Sequence, residues 1–193
     1  MKRIAIYCGS ATPADTVYIN AARIAGAELA RRGIGVVYGG GRLGLMGAVA
    51  DAALDAGGEV IGIIPQALVD AEVAHRGCTE LRIVSGMHER KALFTELSDG
   101  FVTLPGGVGT MDELWEAVSW SQLGYHEKPV GLLNVGGFYD TLIAFNEHMK
   151  SVGFIREQHH GILLSDDTLD GLLAQMTAYR PHETIFKMKA ANL

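Results

Sequence analysis

Long apolar runs are missing from this chain: no stretch approaches the ~18–20 residues a membrane-crossing helix needs, so no membrane partner is expected. Cysteine is scarce. Cys8 and Cys78 stand apart, with no C-x-x-C and no matching histidine spacing, which argues against a disulfide framework or a structural metal site. They read as two buried thiols in a reducing cytosol. Positive charge is short as well: with a net charge of −6 the chain lacks the basic face a nucleic-acid partner requires. A local basic pocket for one nucleotide remains compatible with that total. Proline occurs 5 times against 25 glycines, a balance of tight turns, not of disorder. The start, MKRIAIYCGS, has two basic residues but only a short apolar run, broken by Gly9 and Ser10. It reads as a first strand and not as a signal peptide, and the expected location is cytoplasmic.

What is present alternates. Arg3–Cys8, Gly35–Tyr38, Glu59–Ile64 (halted by Pro65), Leu81–Val84, Phe101–Leu104, Val130–Asn134 and Ile162–Leu164 are short apolar runs that read as buried strands. Between them lie helical patterns at Ala14–Arg32, Leu45–Asp55, Met87–Leu97, from Met111 onward, Phe138–Val152 and Leu169–Tyr179. Gln66–Glu80 lacks a clean period and reads as an irregular or short-helical excursion. Strand–helix alternation over 193 residues predicts an α/β fold: a doubly wound parallel sheet of about seven strands with helices on both faces. One domain is expected over residues 1–180, followed by a tail over 181–193.

In such a sheet, ligands bind beyond the carboxyl ends of the strands. Gly9-Ser10, Gly39–Gly44, Ser85–Arg90 and Pro105–Glu113 all fall there. The last is the richest: in GFVTLPGGVGTMDELWEAVSW (Gly100–Trp120), Gly106, Gly107 and Gly109 let backbone N–H groups converge where side chains would obstruct them. Thr110 reads as an N-cap and Glu113 as its capping-box partner. An uncovered helix N-terminus is a phosphate site, with Glu113 within reach of whatever the phosphate carries. Arg90 falls near the start of its helix, where a cation opposes the macrodipole. That placement points to a local anion: Glu113, a ligand phosphate, Glu89 or Glu96. Bland readings stand beside these. The glycines could merely permit tight turns, Arg90-Lys91 could be a solvated face, and Asp112 and Glu113 could be first-turn acids favouring the helix dipole.

Gly39–Gly44, GGGRLG, fits G-x-G-x-x-G after a strand, so a dinucleotide must be considered. No acidic residue stands at the end of the third strand, where a ribose 2′-hydroxyl would need one, and neither loop has the G-K-[ST] ending of an ATP loop.

YGGGRLGLMG (Tyr38–Gly47), MHERKALF (Met87–Phe94) and PGGVGTMDE (Pro105–Glu113) occur together, in that order. The chain thereby resembles the cytokinin riboside 5'-monophosphate phosphoribohydrolases, the LOG family, long mislabelled as lysine decarboxylases. The resemblance extends from about Arg3 to Arg180 and implies a Rossmann-like homodimer that cleaves the N-glycosidic bond of a nucleoside monophosphate. It implies Arg90 and Glu113 as the catalytic pair. It further implies substrate contacts from Glu72, Lys91, Gly106, Gly107, Val108, Gly109, Thr110, Asp112, Gly41 and Ser10, with no metal and no cofactor. Gln66, where relatives often carry Lys, and Val108, often aromatic in plant members, depart from the family pattern.

The chemistry is consistent with that implication. Breaking a ribosyl C–N bond develops oxocarbenium charge, which a carboxylate near C1′ stabilises. A nearby Arg90 is expected to lower the carboxyl pKa, suiting Glu113 to charge stabilisation more than to proton donation. A decarboxylase would need a Schiff-base lysine for pyridoxal phosphate, and Lys91 alone lies at the glycine-rich edge. A nucleotide-binding module without catalysis, and a NAD-linked oxidoreductase using Gly39–Gly44, are the other classes open to the sequence.

Overall fold

Residues 1–71 and 73–185 are described by a computed structural model of the protein. Glu72 and most of the expected tail lie outside the described residues. Among the described residues seven strands form one sheet: β1 (Arg3–Tyr7), β2 (Gly35–Tyr38), β3 (Val60–Pro65), β4 (Glu80–Val84), β5 (Phe101–Thr103), β6 (Val130–Leu133) and β7 (Leu163–Asp166). Every pairing is parallel, in the order β4-β3-β2-β1-β5-β6-β7. Among the described residues eight α-helices connect or follow them: α1 (Thr16–Arg31), α2 (Gly44–Asp55), α3 (Gln66–Asp70), α4 (Met87–Leu97), α5 (Val108–Leu123), α6 (Asp140–Ser151), α7 (Glu157–His160) and α8 (Leu169–Ala178).

The strands are apolar throughout because both of their faces are covered. Along β1, Ile4 and Ile6 enter the core beneath α1, α2 and α8, packing with Leu29, Val49 and Leu172. Ala5 and Tyr7 point the other way, into the core beneath α4, α5 and α6 with Phe94, Leu114 and Tyr139. This two-residue alternation makes β1 the spine of both layers.

From β1 the chain winds outward to β4, then returns to the opposite flank of β1 as β5. Between the loops that leave these two strands the winding reverses, which opens a crevice at the carboxyl edge of the sheet. The two loops are fastened together: the Gly9 N–H donates to the Pro105 carbonyl at 3.1 Å and the Leu104 N–H to the Tyr7 carbonyl at 2.9 Å. From below, the buried Tyr139 hydroxyl donates to the Leu104 carbonyl at 2.7 Å.

Several expectations are corrected. The helix after β5 begins at Val108 with Gly107 as its N-cap, not at Met111 after a Thr110 cap. Thr110 is buried inside the first turn, so it cannot serve as the half-in residue a cap requires, and no capping box forms. Asp112 and Glu113 accordingly lie past the first turn. Helix α6 starts at Asp140 and not at Phe138, because Asn134 organises the preceding residues. Its side chain donates to Asp140 at 2.8 Å and accepts the Tyr139 N–H at 2.7 Å, after a 3₁₀ turn at Val135–Gly137. The short α7 has no counterpart in the sequence reading. Of the two thiols Cys8 is buried, whereas Cys78 is half-buried beside the Tyr38 hydroxyl.

Candidate active site

Two helix N-termini face the crevice, and they differ. At α2 the N–H groups of Leu45 and Met46 donate to the Gly9 carbonyl at 3.1 and 3.3 Å, so the chain itself takes up donors there. At α5 no side chain caps the end, and the Met111 N–H bonds back to Gly107 at 3.1 Å. By helix geometry the N–H groups of Val108, Gly109 and Thr110 have no intrahelical acceptor and carry the positive end of the dipole. The second of these ends can hold an anion; the first has Gly9 where a dinucleotide pyrophosphate would sit. Gly106 is required for this shape, since a Cβ there would run into the Thr110 side chain and come within 2.8 Å of the Gly9 nitrogen.

Arg90, in the first turn of α4, reaches under the crevice. Its Nε donates to the carbonyl of Ile63 in β3 at 3.2 Å, and its guanidinium stands 5.1 Å above the Phe94 ring. Its Nη1 lies 2.8 Å from Oε1 of Glu113, one turn inside α5, with the two side chains only 9% and 11% exposed. Gly39 lets the guanidinium approach β2, because a Cβ there would overlap it. The local anion suggested by the placement of Arg90 is therefore Glu113. Glu89 turns away and accepts from the Ser85 N–H and hydroxyl, both at 2.8 Å.

Burial pushes the Glu113 carboxyl above its ordinary value, against the pull of Arg90, which is the second-largest influence. The direction expected from the sequence, downward, is thus reversed. Desolvation of a charge removed from water outweighs the single cation beside it. Next to it, burial drives the Cys8 thiol well above its usual range, so Cys8 is a neutral wall residue.

These groups surround a cavity of about 500 Å³, within the range of small-ligand sites. Of the residues expected to bind, Ser10, Gly41, Arg90, Gly107, Val108, Gly109, Thr110 and Glu113 line it. Gly106 lies behind it as the spacer just described. Lys91 and Asp112 do not line it. The Lys91 ammonium sits on the far side of Glu113, between Asp112 at 2.9 Å and Glu116. Sequence reasoning missed the apolar wall of Leu43, Met46, Ile64, Leu68 and Val73. Leu43 and Met46 lie within the glycine-rich motif, so their spacing was a usable signal. Leu68 and Val73 come from the excursion after β3, which folds back over the Gly39–Gly41 turn. There the Arg42 N–H donates to Val73 at 2.9 Å and the His75 N–H to Gly40 at 2.8 Å, beside a Gly41–Ala74 bridge. No period in the sequence marks such a fold-back.

Among the described residues no three His, Cys, Asp or Glu side chains gather as a metal site, and no helix is long and apolar enough to cross a membrane.

The sheet, its switch-point crevice and the open helix end define the class: a Rossmann-like α/β protein with a pocket at an uncapped helix end and an Arg–carboxylate pair removed from water. Residues 46–176 match a family model described as possible lysine decarboxylase. The chain is 49% identical to the cytokinin riboside 5'-monophosphate phosphoribohydrolase LOG of Oryza sativa subsp. japonica, over 93% of this chain and 74% of that protein. It is 44% identical to the corresponding LOG3 protein of Arabidopsis thaliana, over 95% of this chain and 86% of the relative. The protein belongs to the LOG phosphoribohydrolase family. In fold it is also similar to a molybdenum cofactor carrier protein from Chlamydomonas reinhardtii, with a TM-score of 0.66 and 21% identity, covering 92% of this chain and 98% of that one.

The residues do not fit the pyridoxal phosphate that a decarboxylase would use. Lys91 is outside the cavity. Burial works to lower its pKa, but hydrogen bonds and charge from Glu116 and Asp112 outweigh this and raise it, the reverse of what an imine-forming lysine needs. Lys128, the other lysine near α4, donates to the Thr95 and Ser98 carbonyls.

Proposed function

We propose that this protein hydrolyses the N-glycosidic bond of adenosine 5'-monophosphates carrying an N6 substituent, releasing the free base, a cytokinin, and ribose 5-phosphate. The observation that carries this reading is the Arg90–Glu113 pair at 2.8 Å, one turn inside the helix whose open N-terminus forms the adjoining wall. The phosphate sits on the N–H groups of Gly107 to Thr110, and this anchor sets the ribose over Glu113. As the C–N bond lengthens, positive charge grows on the ribose, and the Glu113 carboxylate stabilises it. Water then adds its oxygen to C1′. Its proton passes to Glu113 and leaves with the base nitrogen, so the carboxyl returns to its starting state. The upward-shifted carboxyl suits this proton traffic better than a strongly acidic one. Arg90 keeps Glu113 ionised and aimed, and the apolar wall from Leu43 to Val73 receives the base and its N6 substituent. Plain AMP is a second substrate that leaves part of this wall uncovered. The residue roles rest on cavity geometry and on the family resemblance. A homodimeric state rests on that resemblance alone, and a cytoplasmic location and a single domain over residues 1–180 rest on the composition and strand–helix alternation of the sequence.

The test is a panel of N6-isopentenyl AMP, AMP and N6-isopentenyladenosine, scored for free base and ribose product. Both nucleotides are expected to be cleaved, and the riboside at least about a hundredfold more slowly for want of its phosphate anchor. Binding of the nucleotides without release of base would instead select a carrier or sensor.

A further inference from the structure

Lys91 follows Arg90 on α4 but points to the opposite flank of Glu113. Its ammonium is held by Asp112 at 2.9 Å and by Glu116, which flank Glu113 on α5, and its side chain is 15% exposed. Between Lys91, Glu113, Glu116, Tyr7 and Trp120 there remains a void of only about 10 Å³, too small for a nucleotide group and marginal for one water. No part of Lys91 lines the substrate cavity.

We infer that Lys91 is a positioning residue: it ties α4 to α5 and neutralises the two carboxylates flanking Glu113, without touching substrate. Without it, three carboxylates lie within one turn of α5 with Arg90 as their cation. The charged and titratable groups that face Glu113 are Arg90 and Lys91 from α4, Tyr7 at the end of β1 and Cys8 just beyond it, and Asp112 and Glu116 from α5 itself. Tyr7 and Cys8 are buried with pKa values driven upward, so they stay neutral. Two cations and two anions therefore stand around the buried Glu113 carboxyl. Lys91 and Arg90 favour the ionised carboxylate, and Asp112 opposes it. Loss of the Lys91 charge pushes the Glu113 carboxyl further up, and the acid limb of turnover moves to higher pH with it. Only this consequence for turnover rests on the hydrolase reading above. The electrostatic tie can be measured without substrate.

The experiment follows the Glu113 carboxyl by carbon-13 NMR in protein labelled at glutamate, the signal being identified by its absence in Glu113→Gln. The substrate-free protein is titrated, and pH–rate profiles with N6-isopentenyl AMP are recorded in parallel. Lys91→Met is expected to raise the Glu113 midpoint by about one pH unit, with a roughly tenfold loss of kcat below it. Lys91→Arg keeps the wild-type midpoint, which separates the effect from misfolding. Adding Asp112→Asn and Glu116→Gln to Lys91→Met returns the midpoint to the wild-type value or below, because the uncompensated anions are gone. If Lys91→Met leaves the Glu113 midpoint unmoved and raises KM at every pH, uncorrected in the triple variant, Lys91 is a substrate contact and the inference fails. A shifted midpoint in a protein that releases no base would uphold the tie and sink the hydrolase reading instead.

Discussion

Arg90 and Glu113 are both buried, and each is the other's partner. A guanidinium fixed by the Ile63 carbonyl and the Phe94 ring cannot swing out to water, so Glu113 keeps one orientation. Arg90→Met removes the larger of the influences opposing burial, so the Glu113 carboxyl rises further. Its turnover is expected to fall away on the acid side at a pH at least one unit above the wild-type limb, by pH–rate analysis. An unshifted limb would mean that Arg90 acts on substrate alone. The pair was legible in the sequence only as a suspicion, through a cation at the wrong end of α4. The direction of the carboxyl shift was not legible, because it depends on how much water the fold excludes.

Helix α5 carries the proposed chemistry at its start and a pH-dependent brace farther along. Its N-terminus stays open because Gly106 lets the chain pass between Thr110 and Gly9. Gly106→Ala is expected to cost about 1–3 kcal/mol in a denaturant titration through overpacking, and to weaken AMP binding measured by calorimetry. Farther along, the buried His126 Nε2–H donates to the Ala117 carbonyl at 2.9 Å, while its Nδ1 accepts the Lys128 N–H at 3.2 Å. This arrangement has no place for a second proton, and burial lowers the His126 pKa to about 4 from an ordinary 6.5. The folded state thus prefers neutral His126. Its contribution is complete above pH 6.5 and is lost as pH falls toward 4, by on the order of 3 kcal/mol. Thermal midpoints taken between pH 7 and 4.5 should drop less steeply for His126→Gln than for the wild type; equal slopes would remove His126 from the account. At this scale the glycine-rich turn was legible, but its cap was misplaced. The T-x-x-E spacing of Thr110 and Glu113 imitates a capping box, whereas Thr110 is buried inside a helix that starts at Val108, three residues before Met111.

For the molecule as a whole, the alternation of apolar runs with helical periods was enough to place seven parallel strands and the edge at which their loops converge. Buried parallel strands are apolar on both faces, and little else produces that pattern. What the pattern could not carry was contact between distant segments. The fold-back of the excursion onto Gly40 and Arg42, the α7 turn and the seat of Lys91 between two acids all arise from tertiary packing. The central claim joins the levels: a phosphate held by an uncapped helix end sets a ribose over a buried carboxylate that takes part in breaking the glycosidic bond. Its most direct test is Glu113→Gln given N6-isopentenyl AMP, with binding read by calorimetry and release of base by chromatography. The account predicts nucleotide affinity within about threefold of wild type and at least a hundredfold loss of base release. A Glu113→Gln protein that releases base at the wild-type rate would contradict it.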